Sequence, residues 1–192
     1  MLTQYLPITW GQYHALTRKL AISLLSQPQP SHQIVAISRG GLTLGHLLSD
    51  FLRIPVSTIT IQSYTDIQTQ GEIVITARLQ SPIRGKRVLL VDDVADSGRT
   101  LKRATSYLKK LAPADITAVT MFYKPHSVFR PDIFAKQTKK WILFPYEPTE
   151  MIYLITKKMT EAGKTKAQIQ RFLERLGYND NFIAFVRKYH LK

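Results

Sequence analysis

The segment Val88–Leu101, VLLVDDVADSGRTL, limits what this chain can fold into more than any other stretch. Val88-Leu89-Leu90-Val91 is short, wholly apolar and β-branched, which predicts a central strand covered on both faces. The run stops at two adjacent acids, Asp92 and Asp93. A small polar loop follows, Asp96-Ser97-Gly98-Arg99-Thr100, and apolar residues then return at helical spacing: Leu101, Ala104, Leu108, Leu111. A strand, an acidic tip, a glycine loop and a helix, in that order, place a ligand site at the carboxyl end of a parallel sheet. The loop and the helix amino terminus offer backbone N–H groups to an anion. Two carboxylates would repel that anion, so they need another target, either sugar hydroxyls or a divalent metal. Phosphate, diol and metal together describe a phosphorylated ribose.

The same design occurs once more upstream. Gln33–Ser38 (QIVAIS) reads as a second strand and runs into Arg39-Gly40-Gly41. A helix follows, with Leu44, Leu47, Leu48 and Phe51 on one side. One glycine would suit a plain helix cap, whereas an Arg-Gly-Gly at a strand end suits a polyanion: the glycines let the backbone approach and the arginine adds charged donors.

VLLVDDVADSGRT resembles the phosphoribosyl pyrophosphate (PRPP) motif of the type I phosphoribosyltransferases, and Ser38-Arg39-Gly40-Gly41 is similar to their pyrophosphate loop. The resemblance covers residues 10 to 150. It implies that Asp96-Ser97-Gly98-Arg99-Thr100 holds the 5′-phosphate of PRPP, and that Asp92 and Asp93 bind the ribose hydroxyls or order Mg2+, with Asp93 the metal contact. Asp96 would serve as base on the purine ring. The polar stretch from Gln62 to Gln80, with Ser63-Tyr64 near its start, corresponds to a mobile hood, although its composition equally suits a surface hairpin. Lys124, after the apolar strand Ile116–Phe122, and Trp141-Ile142 narrow the likeness to the xanthine-guanine and hypoxanthine-guanine branch. There the lysine meets the 6-oxo group and the Trp-Ile pair supplies a stacking ring and a backbone contact. The implied reaction joins PRPP to a 6-oxopurine and releases pyrophosphate, as in purine salvage. A homodimer is the family habit. Two other readings stay open: a different base, such as a pyrimidine, or a PRPP-binding regulator that recognises nucleic acid on the same fold. Arg39-Gly40-Gly41 favours the enzyme, because a sensor has less need of a pyrophosphate loop.

Composition sets the outer bounds. At 192 residues the chain suits one domain with an appendage, and its 44% apolar content is ordinary. No cysteine is present, which removes disulfides and thiolate metal sites. No apolar run reaches membrane-spanning length and the amino terminus lacks a secretory pattern, so a cytoplasmic protein is expected, without a membrane partner. The net charge is +14. Up to Ala135 there are 15 Lys/Arg and 8 Asp/Glu, and after it 12 and 5, so the shorter part is more densely basic. A polyphosphorylated substrate uses such charge for steering. Nucleic acid is the competing partner, although no compact basic block marks it.

The remaining elements follow from local chemistry. Thr9-Trp10-Gly11-Gln12 spells a capping box before a helix with Tyr13, Leu16, Leu20 and Leu24 on one face. Pro55–Ile61 alternates as a strand. Past Thr149, apolar spacing predicts a helix through Met159 that ends near Gly163. A second capping box at Thr165–Gln168 opens another, stopped by Gly177, and a last helix spans Asn179 to Tyr189. The expected architecture is a doubly wound α/β domain with a central parallel sheet over residues 1–150, a hood, and a helical extension over 151–192. The extension is read as a packing element for the domain or a dimer partner in preference to a basic binding module.

Overall fold

Fourteen elements form among residues 4–63 and 73–191, which a computed structural model describes. In chain order they are β1 (Tyr5–Pro7), α1 (Trp10–Leu25), β2 (Gln33–Ser38), α2 (Gly40–Leu52), β3 (Val56–Ser63), β4 (Ile73–Ala77) and β5 (Arg87–Ala95). Then come α3 (Arg99–Lys109), β6 (Asp115–Tyr123), β7 (Ile133–Gln137), β8 (Trp141–Leu143), α4 (Pro148–Glu161), α5 (Lys166–Arg175) and α6 (Asp180–His190). Contacts divide them into two units: His14–Lys139, and Met1–Tyr13 together with Lys140–Lys192. No described helix is long and apolar enough to cross a membrane.

The larger unit carries a six-stranded sheet in the order β4-β3-β2-β5-β6-β7. All its pairings are parallel except β3 with β4. Parallel neighbours need crossover helices, and α2 and α3 supply them, which gives the expected α/β architecture. β2 and β5 are its centre. Ile34, Val35, Ala36, Leu89, Leu90 and Val91 are all fully buried, as a strand covered on both faces requires. One core groups Val35, Ile37, Ile59, Val88 and Leu90 with Leu101, Ala104 and Leu108 of α3.

Several boundaries differ from the sequence reading. The strand expected to stop at Val91 continues through Asp92 and Asp93 to Ala95, because β6 runs beside it and pairs Asp92 with Thr120 and Ala95 with Tyr123. Ladder hydrogen bonds to a neighbour override the polarity of two side chains. β7 has no strong apolar signature (IFAKQ) and forms because β6 offers an edge. Of the hood region, residues 64–72, including Tyr64, lie outside the described residues. β3 extends to Ser63, and β4 returns antiparallel with Ser63 opposite Ile73.

The second unit joins β1 and β8 in a parallel pair, Tyr5 opposite Trp141 and Pro7 opposite Leu143. Its core brings Leu143 together with Ile152, Ile155, Ile169, Leu173, Ile183 and Val186 from the three last helices. The capping box at Thr165 is complete: Gln168 N–H donates to the Thr165 hydroxyl at 3.3 Å and Thr165 N–H to Gln168 Oε1 at 2.9 Å. Asn179 caps α6 in the same manner, accepting from Phe182 N–H at 2.8 Å. Gly163 and Gly177 close the preceding helices at φ of 71° and 96°, where a Cβ would be strained. Each helix is too short to persist alone, so burial of the shared face must hold them. Leu173 is fully buried in that face. Leu173→Ala is therefore expected to cost about 2–5 kcal/mol, seen as an earlier loss of helical circular dichroism in urea.

Candidate active site

Chain direction reverses across the sheet between β2 and β5. From β2 the chain moves outward through α2 to β3, and from β5 it moves the other way through α3 to β6 and β7. At such a switch the two turns diverge and leave a crevice beyond the strand carboxyl ends. The register deepens it. Pairing of β2 with β5 ends at Ala36 opposite Val91, while β6 stays with β5 to Ala95. Asp92 and Asp93 thus sit where β5 has lost one neighbour and kept the other.

On the β2 side stands the Ser38-Arg39-Gly40-Gly41 turn, whose Ser38–Arg39 peptide bond is cis. Gly41 packs against the backbone of β5, and a Cβ there would overlap the Val91 carbonyl oxygen. At Gly40 a Cβ would lie 2.5 Å from the Asp93 carboxylate. These two glycines let the start of α2 approach the acid pair. Asp92 is only 8% exposed. Its Oδ1 accepts the Asp93 N–H at 3.0 Å, and the Gly41 N–H also bonds its carboxylate. Burial raises its pKa well above the ordinary range and the neighbouring Asp93 charge adds to this, with the two N–H bonds opposing. Asp92 is therefore turned inward to the α2 terminus. Asp93 is half-buried beside Gly40.

On the β6 side, Asp96 and Ser97 are exposed and Gly98 is buried. Gly98 takes φ 76° as the N-cap of α3. Any Cβ there would strike the Ser127 hydroxyl and the Phe129 backbone, so shape and backbone both demand glycine. The loop after β6 is bonded to the same turn: Lys124 N–H donates to Ala95 O at 3.1 Å and Val128 N–H to Ser97 O at 3.0 Å. Neither α2 nor α3 has a capping side chain of its own or an acid in its first turn. α3 thereby keeps an amino terminus suited to an anion, next to the hydroxyls of Ser97 and Thr100 and the exposed Arg99.

Lys124 is 7% exposed, and burial lowers its pKa, with the Asp96 charge acting in the opposite sense. His126 Nε2 lies 3.0 Å from Asp96 Oδ1. The sequence reading passed over His126, Ser127 and Phe129, since a single histidine in a loop has no distinctive pattern; their only signal was nearness to Lys124. Trp141 and Ile142 belong to the smaller unit. Trp141 opens β8 with its ring 58% exposed, and Ile142 is buried. Ser38 through Gly41, Asp92, Asp93, Asp96 through Thr100 and Lys124 all lie in the larger unit, along the carboxyl ends of β2, β5 and β6.

The donor set bears on a metal. Among the described residues no group of three or more His, Cys, Asp or Glu side chains could hold one. Asp92 accepts backbone N–H bonds, which leaves Asp93 as a single carboxylate. That set fits Mg2+ bound mainly by substrate phosphates and water, the way Mg2+ commonly binds.

Asp92 also gives a sign to the pH dependence of stability. A carboxyl with a raised folded pKa contributes fully below its unfolded pKa of about 3.9, and that contribution is lost as pH rises through the folded value. Asp92→Asn is expected to melt at or above the wild-type temperature at pH 8 in metal-free buffer, with the difference closing towards pH 4. Thermal scans across that range check it, and a variant less stable at pH 8 than at pH 4, relative to wild type, would contradict the assignment.

Residues 9–150 match the family profile described as the phosphoribosyl transferase domain. The chain is 29% identical over 143 residues to a xanthine-guanine phosphoribosyltransferase of Idiomarina loihiensis, covering 73% of this chain and 85% of that protein. The crystal structure of a purine phosphoribosyltransferase from Pyrococcus horikoshii superposes with a TM-score of 0.69 at 32% identity, over 75% of this chain and 95% of that one. A Helicobacter pylori xanthine-guanine-hypoxanthine phosphoribosyltransferase shares the fold at TM-score 0.65 and 23% identity, over 74% and 94% of the two chains.

Proposed function

Because the chain belongs to the phosphoribosyltransferase family, we propose that it transfers the phosphoribosyl group of PRPP to a 6-oxopurine and releases pyrophosphate. The observation that carries the choice of base is Lys124, a buried cation fixed by its backbone to the end of β5. A donor-only ammonium suits the oxo group of guanine, xanthine or hypoxanthine and opposes the amino group of adenine. The name of the Idiomarina relative supports the same class of base, and that of the Pyrococcus protein a purine.

In this reading the 5′-phosphate rests on the uncapped start of α3, with the Ser97 and Thr100 hydroxyls as further donors. Arg39 and the turn at Gly40 face the diphosphate, while Gly41 supports the turn from behind. Asp93 would help hold the Mg2+ brought in with PRPP, which would supply charge neutralisation to the diphosphate. The ribosyl carbon gains oxocarbenium character as the bond to the diphosphate oxygen breaks. Donors already fixed around that leaving group favour the charge it develops. Asp96 accepts the proton from the purine nitrogen at position seven, and His126 holds the Asp96 carboxylate in place. Trp141 and Ile142 are given the stacking and backbone roles on the family resemblance alone; within the smaller unit the Trp141 ring is exposed and the Ile142 side chain buried. A homodimer belongs to the same proposal and is read by light scattering.

A panel of bases with PRPP and Mg2+, followed by pyrophosphate release, tests the assignment. Guanine, xanthine or hypoxanthine should react, and adenine and uracil hardly at all, with discrimination of about ten-thousand-fold in a site built on polar readout. Lys124→Ala should flatten the preference, whereas Trp141→Ala should weaken all purines alike. The lowered Lys124 pKa also sets a pH sign: 6-oxopurine affinity falls as pH rises through a value below that of a free lysine. Preference for adenine or uracil would overturn the base assignment, and silence with every base while PRPP binds would favour a PRPP-dependent regulator.

The roles of the two residues on the loop separate kinetically. Asp96→Asn should lower kcat about 10²–10⁴-fold, the contribution of a general base. His126→Ala should lower kcat by less and leave the KM for PRPP unchanged, because it acts through Asp96. Equal losses in KM and kcat for both variants would assign the pair to binding.

A further inference from the structure

The three carboxyl-terminal helices enclose more than their own core. Between α4, α5 and α6 lies an open cleft of about 500 Å³, within the range of small-molecule sites. None of the residues placed at the PRPP site lines it. Its wall carries Lys157, Lys166 and Arg187 against the single acid Glu161, an excess of two positive charges. Thr156 also lines the cleft, and its hydroxyl is buried without a hydrogen-bond partner. Tyr153, Ile169 and Leu191 add an apolar surface.

A basic residue in the last turn of α6 has an ordinary explanation, since cations offset the partial negative charge of a helix carboxyl terminus. Arg187 is held differently. Its Nη1 donates to Gln170 Oε1 at 2.5 Å and its Nη2 to the Lys166 carbonyl at 3.5 Å, both on α5. Gln170 in turn donates to Asp180 Oδ1 at 2.8 Å. The guanidinium is thus oriented across the cleft by a neighbouring helix, and these bonds use only two of its five N–H donors. Holding a rotamer-rich side chain before a ligand arrives lowers the entropic cost of binding.

The geometry points to a binding site for a phosphomonoester with an apolar or aromatic body. A phosphomonoester carries about −1.5 to −2 charges at neutral pH, which matches the excess on the wall. Arg187 offers the paired N–H geometry that fits phosphate oxygens, and Lys157 and Lys166 act as point charges. The body of the ligand covers Tyr153, Ile169 and Leu191. This inference stands apart from the transfer reaction and does not depend on its outcome.

Isothermal titration of the full chain with phenyl phosphate, with and without saturating PRPP, tests it. Phenol and inorganic phosphate serve as the two half-ligands. Phenyl phosphate should bind in the presence of PRPP and more tightly than either half. Arg187→Gln and Lys157→Gln should each weaken it at least ~10-fold, about 1.4 kcal/mol, with turnover of PRPP and base unchanged. Arg187→Gln also loosens the contact between α5 and α6, so the exposed Lys157 is the decisive arm. Binding that PRPP abolishes, binding equal in wild type and Lys157→Gln, or no binding would each overturn the proposal. So would retention of duplex RNA that is lost in both variants while phenyl phosphate fails to bind, which would assign the basic wall to a nucleic-acid backbone.

Discussion

β5 has two parallel neighbours of unequal reach. β2 leaves it after Val91 and β6 stays to Ala95. A strand needs backbone partners on both sides only where no other group satisfies its N–H and C=O. Where β2 departs, the Asp92 carboxylate accepts the Asp93 N–H and the Gly41 N–H of α2, and the crevice opens at that point. The glycines at 40 and 41 are required because the helix start then runs against β5, where any side chain would collide with Val91 or Asp93. The acid pair and the Gly40-Gly41 turn are placed by this one mismatch in length.

Charge inside the crevice is arranged by the same backbone groups. Asp92 is buried next to a second carboxylate, an arrangement that favours the protonated form, and two N–H groups partly offset it. Lys124 is buried as well, and its cation is supported by Asp96. Desolvation is the larger cause for both groups; the neighbouring charge adds to it at Asp92 and opposes it at Lys124. Such perturbed groups gather in clefts that act on ligands, and here they lie along one edge of the sheet.

The helices differ in how their amino termini are capped. α1, α5 and α6 begin at Thr9, Thr165 and Asn179, whose side chains accept first-turn N–H bonds. α2 and α3 begin at Arg39 and Gly98, neither of which gives a side-chain cap bond, although Ser97 Oγ accepts the Arg99 N–H at 3.4 Å. A cap contributes about 1 kcal/mol, so leaving it out lowers stability where a phosphate can take its place. Stability is forgone at the two turns of the sheet edge and retained at α5 and α6, whereas α4 begins at Glu147 without a side-chain cap bond.

Much of this was legible along the chain. Capping boxes, glycine stops, the buried run before Asp92 and the Arg-Gly-Gly turn are local signals that act within a few residues. β2 forms over the span that its apolar pattern predicted, and the glycine loops open α2 and α3 as expected. The sequence by itself also determined that two strand–loop–helix turns exist and that acids and a hydroxyl-bearing glycine loop sit side by side on one of them. Only the tertiary structure decided that β5 continues through the acids, that β7 forms at all, and that Asp92 turns inward. It alone brought His126 to Asp96, and Ser127 to Gly98, across about thirty residues. These outcomes depend on what lies alongside in the sheet: hydrogen-bond partners, burial and charge are set by neighbours distant in sequence, and no periodicity within a segment encodes them.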